Sequence, residues 1–219
     1  METTFVALIA YGVFSVTGWL AYAALVAVYD SAALSPAVLR RLDSAASIIA
    51  CGPTIVVLWI AVRMAGRELS EYLALNWPSR DELIRALMIV AILWTVEIAS
   101  TFEPLASADL YGAFGGVGGL FVFFVGLTIT APIMEEFICR GFMFRGWSRS
   151  FLGPTGAIVL ISAIWAVFHV QSSWWGRFWI FVSGLALGYF RRRSHSTWLA
   201  VICHSAINVL AFFTSGRQV

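Results

Sequence analysis

Apolar residues run along this chain in blocks too long for the core of a soluble domain. Seven blocks stand out: Thr4–Tyr29, Ala45–Met64, Leu83–Phe102, Gly116–Met134, Thr155–Val170, Trp174–Phe190 and Thr197–Phe213. A helix needs roughly 20 apolar residues to cross a bilayer. The pattern therefore predicts an all-α, polytopic protein of about seven transmembrane helices, forming a single membrane domain over residues 1–219. The last three blocks are short and predict tilted or sheltered helices. Strand-like alternation of apolar and polar positions is absent, which argues against a barrel. Pro132 sits inside the fourth block and predicts a break there, with a new helix starting near it and running through Phe144. Two connecting stretches carry their own signals. "GRELSEYLALNWPSRDEL" (Gly66–Leu83) is amphipathic and suits the membrane interface, and "YGAFGGVGG" (Tyr111–Gly119) reads as a flexible approach to the fourth helix.

Composition agrees. The chain is 60% hydrophobic and 12% charged, with a mean hydropathy of +0.86, where soluble domains carry about a quarter charged residues. The net charge is +2 and every basic residue is an arginine. The arginines fall in separate loops rather than one stripe, so no nucleic-acid surface is indicated. Arg63, Arg67, Arg80, Arg85, Arg140, Arg145, Arg149 and Arg191 to Arg193 fall on one side of a seven-helix bundle. Arg40, Arg41, Arg177 and Arg217 fall on the other, with Glu103 and Asp109. The bias of ten to four places the N-terminus and the Glu135/Glu136 end in the cytoplasm. The N-terminal block lacks a basic leader and reads as a retained helix. Cys51, Cys139 and Cys203 lie far apart without metal-type spacing and read as buried packing residues.

Polar residues inside these blocks change the picture from a membrane protein to one with chemistry, because a charge near the bilayer centre costs at least ~2.5–3.5 kcal/mol on insertion scales. "APIMEEFICRGFMFRG" (Ala131–Gly146) holds Glu135, Glu136 and Arg140, "IWAVFHV" holds His169, and "VICHSAINVL" holds His204 and Asn208. Glu136 and Arg140 are i,i+4 and can pair on one face, whereas Glu135 is rotated about 100° away and left free. His204 and Asn208 share the i,i+4 spacing, as do Trp165 and His169. Joined in a bundle, these helices make one polar pocket in an apolar shell. A desolvated glutamate beside a neutral imidazole can deprotonate water. A second imidazole and an amide can donate to an oxyanion. That set suffices for amide hydrolysis.

Each residue also has a plainer reading. Glu136–Arg140 alone is a structural ion pair, and a lone membrane histidine can simply bond a backbone carbonyl. Glu97 reads as a hydrogen-bonded structural residue, His195 as a solvated loop residue and Cys139 as packing.

The ordered pattern E-E-x-x-x-R, aromatic-x-x-x-H and H-x-x-x-N resembles the CAAX protease and bacteriocin-processing family (CPBP, also called ABI) of intramembrane endopeptidases. The matching stretches are "APIMEEFICRG", "SAIWAVFHV" and "GLALGYFRRRSHSTWLAVICHSAIN", within about Ala131–Asn208. Residues 116–213 would then form the catalytic core, and residues 1–110 carry little of the resemblance. The resemblance implies Glu135 as general base, His169 as a holder of the water, Glu136 as a supporting carboxylate paired with Arg140, and His204 and Asn208 as oxyanion donors. Trp165 stands where the family usually has Phe, and Cys139 where it often has an aromatic residue.

The expectation is a cofactor-free intramembrane protease of a bacterial inner membrane. Its site opens toward the cytoplasm and its substrate is a membrane-associated protein or peptide. The prenylated substrates of eukaryotic relatives are not carried over, because the all-arginine, alanine-rich composition fits a high-GC bacterium. Rival readings are a zinc protease using Glu135, His169 and His204, a non-catalytic immunity or binding protein on the same scaffold, and a small transporter using Glu97 and Glu135. Against the last, no inverted repeat is visible.

Overall fold

A computed structural model of the chain describes residues 2–29, 34–100, 109–170 and 172–214. Glu103 and Arg217, used above for orientation, lie outside the described residues. The helices are α1 (Glu2–Ala27), α2 (Pro36–Met64), the single turn α3 (Leu69–Tyr72), α4 (Arg80–Ser100), the single turn α5 (Leu110–Ala113), α6 (Val117–Trp147), α7 (Gly153–Phe168), α8 (Trp174–Ser194) and α9 (Thr197–Thr214). Among the described residues the only strand-like pairing is one antiparallel bridge, Leu75 to Ser196. Each predicted block overlaps a helix among the described residues, and the protein is an all-α, polytopic membrane protein.

The span count differs from the expected seven. Among the described residues, five helices, α1, α2, α4, α6 and α9, are long and apolar enough to cross a membrane. At 16 residues, α7 falls short. Helix α8 has 21 residues but carries Arg177 near its start and closes on Arg191, Arg192 and Arg193. Those three arginines therefore belong to a helix rather than to the expected sixth loop.

Helix α6 is the centre of the bundle and touches α1, α2, α7, α8 and α9. It also departs most from expectation. Pro132 does not break it; the helix runs unbroken past both glutamates to Trp147. Continuity is possible because the hydrogen-bond ladder widens to i→i−5 at Gly126–Thr130, just before the proline, and again at Phe137–Met143. In that wider ladder Ala131 N–H reaches Gly126 O. Pro132 would be the next donor, to Leu127 O, but has no N–H. The gap is filled from another helix, since Asn208 Nδ2 on α9 donates to Leu127 O at 2.7 Å. Widened turns of this kind are frequent at functional sites.

Small residues set the closest approaches. A Cβ added at Gly184 would come within 2.9 Å of Ser162 Cβ, and one at Gly188 within 2.7 Å of Ile158 Cγ2. This Gly-x-x-x-Gly face seats α8 against α7, a packing mode that favours glycine within membranes. Tight packing at this seam also brings Gly184 O within 3.3 Å of Arg140 Nη2, which donates to it.

The 66–83 stretch is held by the protein rather than laid wholly on the interface. Leu73 is fully buried and packs on Gly141, where a Cβ would stand 3.0 Å from Leu73 Cδ2. The turn between α8 and α9 clasps it: Thr197 N–H donates to Ala74 O at 2.9 Å, Thr197 Oγ1 to Leu73 O at 2.5 Å and Asn76 Nδ2 to His195 O at 3.1 Å. Ala74 and His195, on either side of the bridge, both take left-handed backbone conformations, with φ of 52° and 53°. Trp77 stays exposed and stacks on Trp198. The glycine-rich stretch is a built turn. Asp109 caps α5 by accepting from Gly112 N–H at 2.9 Å, and Gly115 and Gly116 have φ of 72° and 89°, which glycine adopts without strain.

Candidate active site

Three of the sequence-predicted groups, Glu136, Arg140 and His204, meet at one carboxylate. Glu136 on α6 is fully buried. Its Oε1 accepts from Arg140 Nη1 at 2.8 Å, the i,i+4 pair that the spacing predicts. The same oxygen accepts from His204 Nδ1 on α9 at 2.9 Å. Arg140 is 1% exposed and is thus a buried residue of α6, not part of the expected fourth loop. It drops out of the orientation tally, which keeps its sign. Burial of this carboxylate is tolerated because a guanidinium and an imidazole share it. Its other oxygen, Oε2, is buried without a hydrogen-bond partner.

Glu135 is turned away from that pair and only partly buried. Its Oε2 accepts from the indole Nε1–H of Trp165 at 2.5 Å. Trp165 links Glu135 to both histidines and to Arg140. Its ring lies edge-to-face with both His169 and His204, each at a centroid distance of 5.1 Å, and the Arg140 guanidinium sits over it at 4.8 Å. The sequence placed this tryptophan only by its spacing to His169 and by its standing where the family usually has Phe. The indole N–H, which phenylalanine lacks, is the signal that pointed further.

His169 stands one residue past the end of α7, not on the helix as its spacing suggested. Its Nδ1 lies 2.8 Å from Trp165 O. A carbonyl oxygen only accepts, so Nδ1 carries the hydrogen and Nε2 of the neutral ring keeps its lone pair. By the same reasoning, His204 Nδ1 donates to Glu136, and Nε2 is the nitrogen left for a ligand. Asn208 spends one amide hydrogen on Leu127 O and retains a second.

Tyr11 on α1 was missed by the sequence reading. Its hydroxyl lies 3.6 Å from Cys139 Sγ, beside Arg140 in the chain, and its ring stacks on Phe168 next to His169 at 5.8 Å. Nothing in the local sequence of α1 marks it, because tyrosine is ordinary in a membrane helix. Glu97 faces a different space, lining a narrow cleft with Trp94, Ser183 and Ile207. The three cysteines are free and buried. Among the described residues, no three His, Cys, Asp or Glu side chains stand close enough to hold a metal ion together.

Fold and site together define a polytopic helical membrane protein with a buried carboxylate–guanidinium–imidazole cluster beside a second, more accessible carboxylate. The family described as "Rce1-like: Type II CAAX prenyl endopeptidase Rce1-like" matches this chain over residues 117–210. That segment contains Glu135, Glu136, Arg140, Trp165, His169, His204 and Asn208, and the match bears out the resemblance to the CAAX proteases. It supports a protease role in general. No curated protein and no solved structure matches the chain.

Proposed function

We propose that the protein is an intramembrane endopeptidase that cuts a membrane-associated protein or peptide with water activated by Glu135. The observation that carries this reading is the contrast between the two adjacent glutamates. Glu136 is consumed by Arg140 and His204, whereas Glu135 is partly accessible and oriented by a single neutral donor, Trp165. An ionised carboxylate so held can take one proton from water while His169 Nε2 accepts a hydrogen bond from the O–H that remains. The oxygen then attacks the scissile carbonyl. His204 Nε2–H, in the imidazolium that Glu136 stabilises, and the second amide hydrogen of Asn208 donate to the developing oxyanion. Collapse of the tetrahedral intermediate breaks the C–N bond, and Glu135 returns its proton to the departing amine. These groups complete the hydrolysis without a metal.

The arginine bias supports an orientation with this site toward the cytoplasmic side of a bacterial inner membrane. The test is comparative peptide analysis of membrane and secreted fractions from cells carrying the wild type or Glu135→Gln, followed by assay of the purified protein on the peptides found. Losing a general base should lower turnover by ~10²–10⁴-fold, and activity should survive thorough chelation. Full turnover by Glu135→Gln would sink the general-base assignment. Loss of activity on chelation with recovery on zinc would replace it with the metal route.

A further inference from the structure

A second cluster of charge lies away from the glutamates, where α6 and α8 end and α7 begins. Arg145, Arg149, Arg191, Arg192 and Arg193 line one cavity of about 730 Å³. No aspartate or glutamate is among the described residues that line it. Glu71 is 3.9 Å from Arg145 Nη2, but its side chain is 70% exposed, and a solvated pair of that kind neutralises little. Two further contacts are neutral: Arg145 Nη1 donates to Glu71 O at 3.1 Å, and Arg192 Nη1 to Thr155 Oγ1 at 3.1 Å. The C-terminal ends of α6 and α8 contribute only fractional negative charge.

Arg191 is the most telling member. It is 5% exposed, its guanidinium lies over the Phe144 ring at 5.4 Å, and its Nε has no hydrogen-bond partner. The Nε of Arg145 is likewise buried and unpartnered, with its guanidinium over Tyr72 at 5.1 Å. Five arginines of one sign around a cavity large enough for a phosphate group, two of them partly withdrawn from water, call for an anion. Guanidinium forks match the tetrahedral oxygens of phosphate, two at a time.

We propose that this cavity binds a phosphate-bearing anion, and that the headgroup of an anionic phospholipid is its favoured source. The lipid source follows from position. The cavity opens where apolar helices end, and basic recesses between membrane helices are suited to phospholipid headgroups. Its rim carries Tyr189, and nearby Phe151 is 98% exposed, an aromatic setting suited to the headgroup level. This site does not rest on the proteolytic reading.

The test uses the purified full-length protein in zwitterionic detergent. Native mass spectrometry follows titration with phosphatidylglycerol, phosphatidylcholine or inorganic phosphate. Arg191 variants risk misfolding because that side chain is buried, so the variant is R149Q/R193Q, at two exposed positions of the cavity. R67Q, exposed and outside the cavity, is the control. Phosphatidylglycerol should bind in preference to phosphatidylcholine. Each basic residue near a charged membrane surface is worth about fivefold, so R149Q/R193Q should bind roughly thirtyfold more weakly, and R67Q like the wild type. Inorganic phosphate binding with the same variant dependence, and no preference between the lipids, supports the anion site with a soluble source. Equal lipid binding by wild type and R149Q/R193Q, with no phosphate binding, overturns the proposal.

Discussion

The two charged regions of this protein solve the cost of desolvation in opposite ways. Around Glu136 the charges are balanced within the protein. One carboxylate oxygen serves both Arg140 and His204, and three helices contribute to the arrangement through α6, α9 and the Gly184 carbonyl of α8. At the arginine cavity the lining charges share one sign, and the described acids stand only at its edge, Glu71 beside Arg145 and Glu82 in an adjoining recess that Arg193 also lines. The lesson is that a buried charge marks different functions depending on where its counter-charge comes from. An internally neutralised cluster can hold a fixed geometry for chemistry, whereas an unneutralised one is completed from outside.

The difference is sharpest when one charge is deleted from each region. Glu136→Gln leaves Arg140 buried without its anion, a loss that costs ~3–5 kcal/mol for a fully buried pair. Thermal unfolding in detergent should show a large fall in melting temperature for this variant and none for Glu135→Gln. If Glu135→Gln is the unstable one and Glu136→Gln folds normally but is inactive, the roles of the two glutamates are reversed.

An effect of intermediate size is expected where Asn208 meets the proline gap. Asn208→Ala leaves the Leu127 carbonyl without its donor, at a cost of ~1 kcal/mol. Pro132→Ala returns an N–H at the position that the widened ladder would use. The double variant should therefore recover part of the melting temperature lost by Asn208→Ala. Strict additivity of the two changes would show that they do not share that carbonyl.

The smallest effect belongs to the arginine cavity. Arg193→Gln removes one of several like charges from an exposed position, which relieves repulsion without breaking a pair. Its melting temperature in zwitterionic detergent should match or slightly exceed that of the wild type. A fall comparable to that of Glu136→Gln would mean that the cavity is neutralised internally after all, and the contrast between the regions would collapse.

Most of the architecture was legible in the sequence because long apolar blocks leave a helix few alternatives in a membrane. The i,i+4 pairing of Glu136 with Arg140 was legible for the same reason, since it depends only on helix geometry. Where expectation failed, the deciding contact was remote in sequence. Pro132 reads as a break until Asn208, on another helix, supplies the missing donor. Arg191 reads as a loop residue because arginine after an apolar run usually marks the membrane edge, yet here the ring of Phe144 and the wall of the cavity cover it. The number of spans also depended on packing. Residues 153–168 are too short to cross alone, but Gly184 and Gly188 let them lie against a longer neighbour. Tyr11 was invisible because its place near the site is set by how α1 docks, not by any pattern within α1.

The widened turns of α6 act as phase shifters. An ordinary helix advances about 100° per residue, so a turn that accommodates one extra residue slips the azimuth of everything beyond it by about that amount. The five residues from Gly126 to Thr130 and the seven from Phe137 to Met143 bracket the two glutamates, which ride on a short ordinary stretch between them. The bearing of Glu135 and Glu136 is thereby set out of phase with both ends of α6, including the end that carries Arg145 to the arginine cavity. A single rod can thus change phase twice, with the chemistry free to point where neither end of the rod requires it.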